Sequence, residues 1–203
     1  MGIRDWANQN SALTGAAALL VCIFAVGFTV CQSIGKRGGK TITAVYFYDL
    51  AAGKLFKSDP KSLAPIDVPS GATVEYRGKE MKAGLRAYVF SCSGCPADMD
   101  GMDEAQIEEA GASLAYLDRY TDDALKQHEK MQQQMESEDG VPRMPGPMMM
   151  FDTMGRLVGT APDKPGEYPK LYNQMDERGS TLTRNALQKC SDGTYPKQCI
   201  PDS

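Results

Sequence analysis

Hydrophobic and polar positions change their rhythm along this chain, and each change predicts a different element. Trp6 to Gly35 carries no charged side chain, and its centre, Ala12–Cys31, reads ALTGAAALLVCIFAVGFTVC. An apolar run of about 20 residues, at a 1.5 Å rise, matches the roughly 30 Å of bilayer hydrocarbon. A helix also satisfies its own backbone polar groups in lipid. The pattern therefore predicts a transmembrane helix over residues 12–34 within an N-terminal anchor, residues 1–35. A flexible linker, KRGGK at 36–40, leads to a second domain over 41–203. A cleaved signal would have a shorter apolar stretch, a more basic start and a small-x-small site. Val21 and Val30 precede Cys22 and Cys31 where a lipoprotein signal needs a small residue, and the pilin-like Gly27-Phe28-Thr29 runs into polar residues. The segment reads as retained.

After the linker the rhythm is that of strands. Thr41–Leu50 (TITAVYFYDL) is rich in β-branched and aromatic residues, and Lys54-Leu55-Phe56 resumes the pattern after Ala51-Ala52-Gly53. This predicts a β-hairpin with Gly53 at positive φ. Pro60, Pro65 and Pro69 mark a turn-rich stretch. Thr73–Arg77 and Leu85–Ser91 are the next expected strands, the second running directly into Cys92. The period then lengthens to 3.6. Asp103 with Gln106 three residues on makes a capping box, and Ile107, Ala110, Leu114 and Leu117 fall on one helical face. The whole of Glu104–Met135 reads as helical, with Thr121 as a second N-cap. A Pro-rich, charged break follows near 136–147. Met148–Phe151 and Arg156–Thr160 suggest another hairpin, and Thr181–Lys189 a short helix. The expected fold class is α+β: an anchor helix, then a small mixed domain with β-hairpins and one or two amphipathic helices.

Charge narrows the partners. The net charge is −4 with no basic face, which argues against nucleic acid. Lys36, Arg37 and Lys40 flank the C-terminal end of the apolar run against Arg4 on the other side. The positive-inside rule then places the soluble domain in the cytoplasm, on the inner (cytoplasmic) membrane. The bilayer is the expected partner of residues 12–34. Small residues at Ala12, Gly15, Ala16 and Ala18 would let a second copy or a protein partner approach closely.

The candidate chemistry lies in four cysteines. Cys92 and Cys95 form a Cys-x-x-Cys at a strand end, and Cys190 and Cys199 bracket a loop through Asp192-Gly193 and Pro196. Three readings stand side by side. As thiolates the four would hold one Zn²⁺ tetrahedrally, with Cys92, Cys95, Cys190 and Cys199 as metal ligands. As disulfides they would staple a thin core. As a redox pair, Cys92 would be the nucleophile and Cys95 the resolving thiol. A tail from Thr181 onward has too little apolar content to dock by burial alone, so the two pairs are expected to meet in space, as zinc ligands or as cross-linking disulfides; two separate local bridges, 92–95 and 190–199, are the competing outcome. No other residue carries a site. His128 is the only histidine and sits on a helix face. Asp98, Asp100 and Asp103 lack the register of a calcium loop. Met144, Met148–Met150 and Met154 read as apolar strand residues rather than copper ligands.

The phrases AVYFYDLAAGKLF, APIDVPSG, AGLRAYVFSCSGC and LAYLDRYTDDA, with the closing Cys190…Cys199-Ile-Pro, resemble an uncharacterised group of single-span membrane proteins of planctomycete bacteria. The resemblance covers residues 5–128 and the C-terminal loop. It implies an anchor and paired cysteines, and no activity. The functional expectation is a membrane-anchored structural or binding protein; the alternative is a membrane-tethered thiol–disulfide oxidoreductase using Cys92 and Cys95.

Overall fold

The structure, a computed structural model, describes residues 42–137 and 155–201. The elements in chain order are β1 (Val45–Asp49), β2 (Lys54–Ser58), β3 (Thr73–Tyr76), β4 (Lys79–Lys82), β5 (Gly84–Ser91), α1 (Glu104–Glu109), β6 (Ser113–Tyr120), α2 (Asp122–Ser137), β7 (Arg156–Gly159), β8 (Tyr172–Asn173), α3 (Glu177–Asn185) and β9 (Lys197–Gln198). An antiparallel sheet runs in the order β2-β1-β5-β6-β7-β8, with β9 added to the end of β5. A separate ribbon pairs β3 with β4.

The first hairpin follows the sequence closely. Asp49 Oδ1 accepts hydrogen bonds from the Ala51 and Ala52 amides at 2.9 and 3.1 Å, and Gly53 takes φ +70° to return the chain into β2. Only glycine adopts that angle without strain. The outer edge of β2 is closed by the loop before α1. There the Leu55 amide donates to the Met102 carbonyl and the Gly101 amide to the Leu55 carbonyl, which removes an exposed edge.

Alternation along the central strands divides the sheet into two faces. On one, Tyr46, Tyr48, Leu55, Leu85, Ala87 and Leu117 join Met99 and Ile107 of the α1 region in the core. The capping box of α1 forms as expected: Asp103 accepts from the Gln106 amide, and the Gln106 side chain accepts from the Asp103 amide. The helix then stops at once. The Ala112 amide donates to the Ile107 carbonyl and the Gly111 amide to the Glu108 carbonyl, with Gly111 at φ +81°. This is a Schellman closure with glycine at C′.

Three expectations are corrected here. The fold is mostly sheet, and residues 113–120, expected to continue a helix, form the central strand β6. The helical spacing of Leu114 and Leu117 has another origin. Opposite Tyr88 and Val89 of β5 stand Tyr116 and Leu114, so Ala115 is an extra residue, a bulge. A bulge places positions three apart on the same face, and both leucines are buried. Second, no helix among the described residues is long and apolar enough to cross a membrane. The transmembrane helix of the expected fold class thus has no counterpart among the described residues; residues 12–34 and the 36–40 linker lie outside them. The strand expected at Met148–Phe151, most of the 136–147 break, and Met144, Met148–Met150 and Met154 lie outside them as well. Third, α3 starts four residues before the expected helix at Thr181. The start of α2 at Asp122, after Thr121, agrees with the sequence, and the Ala124 amide donates to Thr121 Oγ1.

Candidate functional site

Two features of the fold bear on function, and the cysteines form the first. The last turn of β5 carries Ser91 into the loop Cys92–Cys95. Ser91, itself buried, directs its hydroxyl at the Gly111 carbonyl (2.7 Å) and lies 2.9 Å from the Gly94 carbonyl. The loop is thereby fixed against the end of α1. The C-terminal segment returns along the same strand end: the Cys199 amide donates to the Val89 carbonyl at 2.8 Å, and β9 pairs with Phe90 and Ser91. The four sulfurs meet there as two bridges, Cys92–Cys190 and Cys95–Cys199, with Cα separations of 5.8 and 5.3 Å.

The expected convergence of the two pairs therefore holds, in the form of cross-linking disulfides. Zinc coordination is corrected: a Zn²⁺ ligand is a thiolate, and all four sulfurs are bonded to one another in pairs. Nor does any group of three or more His, Cys, Asp or Glu side chains suited to a metal occur among the described residues. Cys92 and Cys95 are not bonded to each other. The cytoplasmic location is corrected on the same ground, since glutathione and thioredoxin keep cytosolic thiols reduced and structural disulfides belong to oxidising compartments. The bridges differ in access. Cys92 is exposed and Cys190 half-buried, whereas Cys95 is half-buried and Cys199 is buried. Beside them, an open cleft of about 480 Å³ runs between α3 and the sheet end, lined by Phe90, Ala112, Leu114, Leu182, Ala186 and Pro196.

The second feature lies on the sheet face opposite α1. Register pairs Arg86 with Asp118, Tyr88 with Tyr116, and Tyr120 with Arg156, so six polar or aromatic side chains of β5, β6 and β7 share one surface. Asp118 is 1 % exposed. Its Oδ2 lies 3.4 Å from Arg156 Nη1. The Arg156 guanidinium also donates to the Tyr120 hydroxyl, from Nε at 3.3 Å and Nη2 at 3.0 Å, and from Nη1 to the Tyr88 hydroxyl at 3.2 Å. Tyr88 and Tyr116 stack with ring centroids 4.4 Å apart and planes 17° from parallel. Burial opposes the charge on Arg156, but Tyr88, Asp118 and the Tyr120 hydrogen bond outweigh it and raise its pKa. Burial and the neighbouring Asp118 carboxylate push Tyr116 up to about 12 and Tyr88 higher still. Both phenols are neutral donors at ordinary pH.

This cluster escaped the sequence reading. Its signal was there, as Arg-x-Tyr at 86–88 and Tyr-x-Asp-x-Tyr at 116–120, a period of two that marks a strand; the helical reading of 104–135 hid the second half. The remaining sequence candidates have local explanations. His128 is half-buried on α2. Asp98 pairs with Lys57 at 3.0 Å, and Asp103 caps α1. Elsewhere a buried cation, Arg119, pairs with Asp122 and donates to the Tyr168 hydroxyl at 2.9 Å, tying β6 to α2. No family model, curated protein or solved structure matches the chain.

Proposed function

We propose that the chain is a disulfide-stapled binding domain that works in an oxidising compartment. The observation that carries this reading is the connectivity. Each cysteine of the Cys-x-x-Cys motif is bridged to a residue about a hundred positions away, and one of those partners, Cys199, is 4 % exposed. A thiol–disulfide enzyme needs an accessible, acidic thiol with its resolving partner alongside; bridges that clamp a tail onto the sheet end serve folding instead. The pair of buried Asp118 and half-buried Arg156 supports a binding role for the opposite face. Desolvating two charges is costly for stability alone, and such clusters recur where a protein meets a ligand.

Peptide mapping of the intact chain under non-reducing conditions, together with an insulin-reduction assay, tests the reading. The expected result is 92–190 and 95–199 linkages with no catalysed insulin reduction. A 92–95 linkage, or turnover that disappears in Cys92→Ser, would overturn it in favour of the oxidoreductase.

A further inference from the structure

The two bridges hold very different stretches of chain. Cys199 is seated in the sheet: its amide donates to the Val89 carbonyl, β9 beside it pairs with Phe90 and Ser91, and its side chain is buried. Cys190 has no such seat. No residue from Leu187 to Gln198 is buried, and Leu187 and Tyr195 are 54 % and 67 % exposed. Leu187 and Gln188 extend α3, their amides donating to the Arg184 and Asn185 carbonyls. Residues 189–196 then form a turn closed on itself. The Cys190 amide donates to the Thr194 carbonyl at 2.8 Å, and the Gly193 amide to the Cys190 carbonyl at 2.9 Å. Asp192 Oδ1 accepts from the Thr194 amide and hydroxyl, and the Lys189 ammonium lies 5.4 Å from the centre of the Tyr195 ring. No hydrogen bond or ion pair joins this turn to any other described residue. Between α3 and β9 its one fixed tie to the sheet is the bond from Cys190 to Cys92, and Cys92 is exposed.

We propose that Cys92–Cys190 is a site of thiol–disulfide exchange, at which a dithiol reductant releases the turn 189–196 while Cys95–Cys199 keeps the tail docked on β5. The chain is the substrate of this exchange, not its catalyst, so the inference rests on the connectivity behind the stapled-domain reading and adds a chemical event to it. A thiolate of the reductant attacks the exposed Cys92 sulfur, forms a mixed disulfide there and expels Cys190 as a thiolate, which takes up a proton. The reductant's second thiol attacks its own sulfur in that mixed disulfide, closes a cyclic disulfide and passes its proton to the departing Cys92. Two electrons and two protons thus move from the dithiol to the bridge. Gln188 and Pro196 line the cleft beside α3 together with Cys92, so the intact bridge fixes one wall of that cleft against the other. Breaking it frees this wall and leaves the sheet folded, because every backbone bond that docks Cys199 and β9 lies outside the released turn.

The test uses the full chain, its bridges mapped beforehand. Dithiothreitol is added in increments, the reaction is quenched with iodoacetamide, and the species carrying two alkyl groups is isolated. Its labels are expected on Cys92 and Cys190. In that species, nuclear magnetic relaxation should show backbone order parameters of residues 189–195 falling from about 0.85 to below about 0.6, with β5 and Cys199 unchanged. Trypsin should cut after Lys189 about tenfold faster than in the oxidised chain, since local opening governs cleavage there. Cys92→Ser/Cys190→Ser, which adds no alkyl bulk, should show the same loosening; the alkylated species is made from folded protein, so it decides the matter if that variant fails to fold. Labels on Cys95 and Cys199, reduction of all four cysteines with no two-label species, or a turn as ordered and as slowly cut after reduction as before would each overturn the proposal. So would loosening that spreads to β9 and the Cys199 amide. A 92–95 linkage in the starting map sinks the stapled-domain reading as well, whereas the expected map with an unmoved turn sinks this inference alone.

Discussion

Removing one bridge at a time measures how the two cooperate, because they share a loop. Cys92–Cys190 closes 98 residues and Cys95–Cys199 closes 104. In the chain-entropy account a loop of that size constrains the unfolded chain by about 4.7 kcal/mol. With one bridge present, the other closes only the short segments 92–95 and 190–199, roughly 12 residues in all, which corresponds to about 3 kcal/mol. The Cys92→Ala/Cys190→Ala chain and the Cys95→Ala/Cys199→Ala chain should therefore each lose about 3 kcal/mol, and the chain lacking all four cysteines about 8. The coupling of about 2 kcal/mol is the signature of a common loop. Urea unfolding without reductant reads these values from the midpoints, and the slope should rise in the four-alanine chain as its unfolded state expands. By calorimetry each two-alanine chain should melt roughly 6–12 °C lower. Losses near 5 kcal/mol in each two-alanine chain that simply add would refute the shared-loop reasoning. So would a four-alanine chain no less stable than either.

Three further outcomes follow from named contacts. Graded reduction with a dithiol, quenched by alkylation, should label Cys92 and Cys190 before Cys95 and Cys199, since the first bridge is exposed on one side and the second is buried on one side; mass mapping reads the order. Asp118→Asn removes the carboxylate from the Arg156 guanidinium in a buried setting and should cost about 3 kcal/mol in urea unfolding. With Tyr116 at about 12 in the folded chain against about 10 unfolded, the folded state holds its proton longer. Stability is then fully present below pH 10 and falls as pH rises towards 12. Absorbance titration at high pH should show this late phenol, and Tyr116→Phe should remove it and lessen the alkaline loss, leaving the part that comes from the still higher Tyr88.

How much of this was legible depends on whether local chemistry or partner strands decided the structure. The β1–β2 hairpin was readable because Asp49 and Gly53 fix its turn without outside help. So were the α1 cap at Asp103 and the entry to α2 at Thr121, each set by one side chain reaching one amide. β4 was missed because KEMK has no apolar face; it is a strand only because Arg77 and Gly78, both at positive φ, fold it back on β3 in a two-residue turn. β6 was misread for a subtler reason. The Ala115 bulge imposes a three-residue spacing on Leu114 and Leu117, which imitates a helix, and only Gly111 broke that illusion. The mistake propagated: with 113–120 taken as helix, Tyr116, Asp118 and Tyr120 could not be seen as one face.

The cysteines show where an argument from economy ends. A tail poor in apolar residues needs something to hold it, and that reasoning brought Cys92 and Cys95 to Cys190 and Cys199 without any pairing information. It could not choose between an ion and two bridges, since both satisfy the same proximity. What separates them is the backbone. β9 lies antiparallel on the last residues of β5, with Phe90 opposite Gln198 and Ser91 opposite Lys197, so Cys199 sits next to β5 at Val89 while Cys190 arrives from the far side of the Asp192–Gly193 turn. Two cysteines three positions apart thus meet two cysteines nine positions apart at different points, and each finds its own partner.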